Sequence, residues 1–360
     1  MEIDYLPVYP PLHLDHLERL SDSTGIIQHA LHSVPDPTHG YSIDDQARAL
    51  IVHLAHAHFT GANHPAPLAY TFMSFLRHAA NPDGTFHNFL SYSRQWLDEQ
   101  GSEDSHGRAL WALGYATRYG IERGMIGAAA DLFDVGKAHI DSLRWPRSWA
   151  FSLFGVYHRL KAAPDDDLQS VARTLAGKLV DCFEVASGPD WLWFEDELTY
   201  CNAKLPAALL LAYELTGEPR YLEVGTASLA WLVGVLINDD GELRLVGQDG
   251  WYKRGGVKAS FDEQCVDAQG LIEASVIALR VTGLTSWRRP AIAAFDWFMG
   301  RNVHGVSLID PVTWGCFDGI TATRLNRNMG AESIVCYLLA YLDLIGAGIV
   351  TLEGAVPQRV

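Results

Sequence analysis

The chain has 360 residues, 43 of them acidic and 27 basic, giving a formal net charge of −16, and 48% of its residues are hydrophobic. That is enough chain to bury a large core and too apolar a composition for disorder. The acidic balance excludes nucleic acid or an anionic membrane as the main partner, because nothing would offset the phosphate repulsion.

Residues 1–11 carry acids and prolines where a secretory signal would have a basic start and an apolar run. No stretch is greasy enough to span a bilayer. Five scattered cysteines (Cys182, Cys201, Cys265, Cys316, Cys336) contain no CxxC pair, which predicts reduced thiols in a cytoplasmic protein, with no zinc site. Beyond this start, apolar residues recur at spacings of three and four, and strand-like alternation is scarce. Residues 14–32 read as a first amphipathic helix. Tyr41-Ser42-Ile43-Asp44-Asp45 then opens an Ala- and Leu-rich run, and the same kind of phrase returns at Gly101-Ser102-Glu103-Asp104-Ser105, Trp145-Pro146-Arg147-Ser148, Trp193-Phe194-Glu195-Asp196-Glu197, Ser260-Phe261-Asp262-Glu263 and Asn326-Arg327-Asn328-Met329-Gly330-Ala331-Glu332. Between them lie amphipathic segments with charged faces at 66–80, 124–142, 166–185, 219–237 and 286–301.

Six helix pairs at a period of about 55 residues must stack into a solenoid or close into a ring. Small residues on the richer helices, among them Ala47, Ala109, Ala208 and Ala331, suit a closed double ring. The expected fold is therefore all-α: an (α/α)6 toroid formed as a single domain over residues 1–360, with the apolar helices inside. Connections alternate ends, so every inner helix starts on the same rim. The long loops 81–102, 186–198, 238–261 and 302–327 fall there too. Six helices spaced about 9–10 Å apart leave a lumen roughly 8 Å across.

Such pairs, with carboxylates and aromatics at the inner-helix starts, resemble the six-hairpin glycosidase-like superfamily of carbohydrate enzymes. More narrowly, Tyr-Ser-Ile-Asp-Asp-Gln-Ala-Arg-Ala-Leu (41–50), Gly-Ser-Glu-Asp-Ser-His-Gly-Arg-Ala-Leu-Trp-Ala-Leu-Gly (101–114), Phe-Asp-Glu-Gln (261–264), Cys-Phe-Asp-Gly (316–319) and Asn-Arg-Asn-Met-Gly-Ala-Glu-Ser (326–333) resemble bacterial all-helical proteins found alone or appended to group-1 glycosyltransferases. The resemblance implies a sugar substrate, most often inverting hydrolysis, and association with a glycosyltransferase.

Acids in a first helical turn also serve simply to cap it, each contributing about 0.5–1 kcal/mol. One acid per helix would satisfy that role. Doubling them as Asp44-Asp45, Glu103-Asp104, Glu195-Asp196 and Asp262-Glu263 crowds carboxylates onto one rim. Glycoside hydrolysis needs one protonated carboxyl and one ionised carboxylate. The second and fifth pairs stand opposite each other in a six-pair ring, so Asp104 and Glu263, with Glu103 and Asp262 beside them, are the expected catalytic groups. The expected separation suits inversion, for which the carboxyls lie about 6.5–9.5 Å apart. Asp44, Asp45, Arg48, His106, Trp96, Asp196, Tyr200, Asn202, Lys204, Trp251, Asp267, Asp318, Asn328 and Glu332 are expected to bind the sugar. A closed far end would favour attack from a chain end. Two alternatives stand beside hydrolysis: a sugar epimerase or isomerase using His106, His87 and an acid, and a non-catalytic sugar-binding module. His53, His56 and His58 lie on the far half of the first inner helix without metal-ligand spacing, so no metal or cofactor is expected.

Overall fold

The computed structural model describes residues 7–351. Its helices are α1 (Asp15–Leu20), α2 (Ile43–Thr60), α3 (Pro67–Ala79), α4 (Glu103–Tyr119), α5 (Arg123–Gly136), α6 (Pro146–Ala162), α7 (Asp166–Ala186), α8 (Lys204–Thr216), α9 (Pro219–Leu236), α10 (Cys265–Thr282), α11 (Arg288–Phe298) and α12 (Ala331–Gly346). The even-numbered helices pack side by side in sequence, and α12 returns to α2 to close the ring. Each odd-numbered helix packs outside: α3 on α2, α5 on α4, α7 on α6, α9 on α8, α11 on α10, and α1 on α12. This is the (α/α)6 toroid.

Local chemistry sets the helix ends. The Ser42 hydroxyl accepts from the Asp45 amide and the Ser102 hydroxyl from the Ser105 amide, while Pro146 occupies the first position of α6. Gly61, Gly217 and Gly283 adopt left-handed conformations that stop α2, α8 and α10. The tightest contact in the ring is α4 on α6. A Cβ at Gly114 would sit 2.1 Å from the Gly155 carbonyl, and one at Gly155 would sit 2.4 Å from that of Leu110. Only bare backbone fits there.

Short antiparallel strands tie the rim loops to the helix starts. β1 (His29–Leu31) pairs with β2 (Val34–Asp36), β3 (Tyr41–Ser42) with β4 (Phe89–Leu90), and β5 (Glu197–Leu198) with β6 (Tyr252–Lys253). β7 (Glu263–Gln264), β8 (Gly319–Ile320) and β9 (Leu325–Asn326) form a three-stranded sheet. The β1–β2 hairpin corrects the helix expected over 14–32, of which only Asp15–Leu20 is helical. The Gln46 side chain bonds both the amide and the carbonyl of Ile26 (2.9 and 2.8 Å), replacing the bonds a helix would make. Among the described residues no helix is long and apolar enough to cross a membrane.

Candidate functional site at the acidic rim

Position after the helix start decides which side chains enter the lumen. Asp44, Asp104, Arg147 and Glu332 are each the second residue of their inner helix. Glu103, one residue earlier, is turned by about 100°. It faces the neighbouring α6 and accepts from the amides of Arg144 (2.7 Å) and Trp145 (3.2 Å) and from the Ser148 hydroxyl (3.2 Å). Burial works to raise its pKa, but these bonds bring it below the ordinary range.

Helices α4 and α8 are not neighbours in the ring, so contacts between their starts pass through the lumen. The Tyr200 hydroxyl donates to Asp104 Oδ2 at 2.5 Å, and Arg108 Nη2 donates to Cys201 Sγ at 3.3 Å. Arg48, its side chain 2% exposed, reaches three carboxylates with Nη2: Asp45 (3.1 Å), Glu332 (3.1 Å) and Asp44 (3.2 Å). Arg108 takes the other oxygen of Asp44 at 3.0 Å and lies over the Phe151 ring, 4.3 Å from its centroid. Arg147 pairs with Glu195 (2.7 Å), donates to the Tyr200 carbonyl (2.6 Å) and Asn202 Oδ1 (3.3 Å), and lies over the Tyr200 ring. Three buried guanidiniums therefore answer the crowded carboxylates.

Not every carboxyl is neutralised. Burial raises Asp267 to about 7, against the pull of Arg147 and of the Asn202 and Cys201 amides, and the charge of Glu332 adds to the rise. Burial and Glu332 likewise raise Asp318 to about 6. Asp45 is raised by burial against the pull of Arg48. Glu332 itself keeps its side chain 40% exposed. It is the charge common to all three raised carboxyls. Cys201 has a φ of 49°, a left-handed conformation disfavoured for a non-glycine residue. That turn directs its amide and the next one at Asp267.

The remaining expected residues divide by location. Glu263 is not in the lumen. Residues 262–263 do not form the first turn of a helix: the helix begins at Cys265, and Glu263 lies in β7. Its buried carboxylate accepts from the Leu245 amide (2.9 Å) and the Trp297 indole (2.7 Å) on the outer helix α11, and burial raises its pKa to about 7. Asp262 is exposed, as is Asp196, whose only ion pair among the described residues is with Arg254 at 3.7 Å. His106 lies between α4 and α5 against the Gly136 carbonyl (3.1 Å) and the Phe86 ring. His87 stacks on Trp96, which also meets Phe75. Both histidines and Trp96 thus pack outside the inner ring. Trp193, expected on a rim loop, is fully buried beside Phe194 and Trp231.

Asn202 ties its own turn through Thr199 (3.1 and 2.8 Å). Trp251 lies 6.4 Å from Tyr200, ring to ring. Asn328 accepts from the Ala30 amide (2.9 Å) and meets the His29 ring nitrogen (3.0 Å). Lys204 turns down the lumen, where it pairs with Glu273 over the Trp111 ring. Arg147, Cys201, His29 and Glu273 also face these groups, although the sequence pattern does not mark the last three. Arg147 has a signal, because it holds the same place after its helix start as Asp44 and Asp104.

Nor is the far end closed, as had been expected. A cavity of about 540 Å³ occupies the lower lumen, lined by the C-terminal halves of all six inner helices, with His58 and Arg280 exposed at its mouth. Among the described residues no group of three or more His, Cys, Asp or Glu side chains is placed to hold a metal ion.

No protein-family model and no curated protein matches the chain. Solved structures do. Cellobiose 2-epimerase from Bacillus thermoamylovorans superposes with a TM-score of 0.72 at 12% identity, covering 94% of this chain and 96% of that one. A D-mannose isomerase gives 0.69 at 12% identity, with coverages of 92% and 96%. An α-1,6-mannanase from a Salegentibacter species gives 0.65 at 11% identity, with coverages of 93% and 98%. That mannanase structure is an inactive variant, altered at two consecutive aspartates, in complex with α-1,6-mannotetrose. At these identities the likeness is one of fold alone: the chain shares the (α/α)6 toroid of these proteins.

Proposed function

We propose that this protein is a carbohydrate-active enzyme that hydrolyses a short oligosaccharide at the acidic rim. The observation that carries the reading is that one turn, residues 200–202, meets carboxyls from the starts of opposed helices α4 and α10: Tyr200 donates to Asp104, and the Cys201 and Asn202 amides bond Asp267, whose carboxyl burial raises to about 7. Asp267 gives its proton to the glycosidic oxygen as the bond to the anomeric carbon breaks. A water molecule attacks that carbon and passes its proton to Asp104, leaving a reducing sugar of inverted configuration. Tyr200 orients Asp104, Arg147 holds the turn that supports Asp267, and Asp318, Asn328 and Trp251 border the sugar. Arg48 and Arg108 hold Asp44, Asp45 and Glu332 in place, and burial together with the charge of Glu332 keeps Asp267 protonated. The sugar-bound mannanase among the similar structures supports a saccharide ligand.

Isomerisation or epimerisation is the second reading, supported by the epimerase and isomerase structures of like fold. It would draw on His29 beside Asn328, since His106 and His87 pack outside the ring. Free thiols at all five cysteines support the cytoplasm as the compartment. NMR of the protein with α-1,6-mannobiose, cellobiose and mannose separates the readings. New reducing ends are expected. A converted sugar with no cleavage would replace hydrolysis by epimerisation, and binding without turnover would leave a sugar-binding module.

A further inference from the structure

We infer that the lower lumen is a second binding site, for a mono- or disaccharide carrying a phosphate or carboxylate group. A volume of about 540 Å³ is in the range of small-ligand sites, roughly 300–1,000 Å³. Aromatic side chains line the wall: Trp111, Tyr115 and Tyr119 from α4, and Phe154 and Tyr157 from α6. Aromatic rings at a cavity wall suit the apolar faces of a sugar. Trp111 is 2% exposed, and its indole N–H, bordering the cavity, has no hydrogen-bond partner among the described residues. A buried donor left unmatched is costly unless a ligand or water takes it.

The inner end of the cavity is closed by the Lys204–Glu273 pair, and Gln269 bridges Glu273 (3.3 Å) to Asp343 (3.4 Å). Burial, with Glu273 adding, holds Asp343 protonated well above the ordinary carboxyl range. This floor is polar yet close to neutral, and it suits hydroxyl groups.

Charge gathers at the mouth. Glu214 is the carboxylate there, shared by Lys161 (2.9 Å) and Arg280 (2.8 Å). Arg118 has only ring faces, with Tyr119 at 4.8 Å and Tyr157 at 5.7 Å, and no carboxylate within ion-pair distance among the described residues. Three cations face one anion in a chain whose net charge is −16. The helix C-termini oppose this with partial negative charge, but the amides of Gly61, Gly217 and Gly283 already bond the last carbonyls of α2, α8 and α10. An anionic group meeting Arg118, with its ring stacked below, satisfies both the free guanidinium and the aromatic wall.

Calorimetric titration with glucose 6-phosphate and glucuronate tests this, with glucose and inorganic phosphate as controls. At least one anionic sugar is expected to bind at least tenfold more tightly than glucose; which one binds tells phosphate from carboxylate. Arg118→Gln should weaken that binding at least tenfold, and Arg118→Lys should weaken it less. Asp104→Asn, at the other rim, should leave it unchanged while removing turnover, so the two sites fail separately. The inference is overturned if neither anionic sugar binds, if glucose binds equally, or if Asp104→Asn abolishes binding. Should Arg118→Gln not fold, the comparison of sugars on the wild-type protein and on Asp104→Asn decides alone.

Discussion

Replacing Arg48 by Met removes the guanidinium that reaches three carboxylates at 3.1–3.2 Å. The three contacts do not contribute equally. Glu332 is 40% exposed on its side chain, so water takes over most of its solvation and that pair contributes little. Asp44 keeps Arg108 at 3.0 Å. Asp45, 8% exposed, has no other cation within ion-pair distance among the described residues, so its stranding dominates. Removing one partner of a buried pair costs about 3–5 kcal/mol, and Met refills part of the volume. Asp45 limits the loss by taking up a proton, because burial already raises its pKa. We expect a loss of about 3 kcal/mol at pH 8 and about 1–2 kcal/mol at pH 5.5.

The sign follows from proton counting. Losing Arg48 raises the folded-state carboxyl pKa values and leaves the unfolded ones alone. Between the wild-type and variant folded-state values, the folded variant binds more protons than the folded wild type, so it gains stability relative to wild type as pH falls through that window. Urea unfolding followed by circular dichroism at both pH values measures the difference. A loss below about 1 kcal/mol at pH 8, or one that grows on acidification, would refute the reasoning.

Other outcomes follow from the same geometry. Asp267→Asn and Asp104→Asn should each lower turnover by roughly a hundredfold or more with the fold intact by circular dichroism; full activity in either removes it from the mechanism. Glu332→Gln removes the charge that, beside burial, helps hold Asp267 protonated, so the alkaline limb of the pH–rate profile should move down by a fraction of a unit; an upward shift would contradict the arrangement. Glu263→Gln should destabilise by about 1–3 kcal/mol through mismatch with the Trp297 and Leu245 donors. Activity per folded molecule should be unchanged, and a selective loss of turnover would return Glu263 to the active centre.

The toroid was readable because helix starts repeat: phrases opening near Tyr41, Glu103, Pro146, Tyr200, Asp262 and Asn328 each lead into an inner helix. The site was harder to read because one residue of phase decides between lumen and wall. Glu103 and Asp104 are adjacent, yet one caps α6 and the other meets Tyr200. At the fifth hairpin β7 displaces the helix start, so Asp267, not Glu263, is its first-turn acid. No periodicity reports that shift, because the strand is fixed by pairing with residues some fifty positions later in the chain. The fate of Lys204 was equally hidden. Its partner Glu273 lies deep in a neighbouring helix, and nothing local links the two. The 14–32 segment looked helical from its apolar spacing, but Gln46 from the next helix took its backbone bonds.

The central claim is that the acidic rim is where a sugar is bound and cleaved. A crystal structure of Asp267→Asn soaked with an oligosaccharide that the wild-type protein cleaves tests it most directly. The account predicts a glycosidic oxygen within hydrogen-bond distance of residue 267, with the anomeric carbon facing Asp104 across one water molecule. A sugar seated only in the lower lumen, with the rim unchanged, would contradict it.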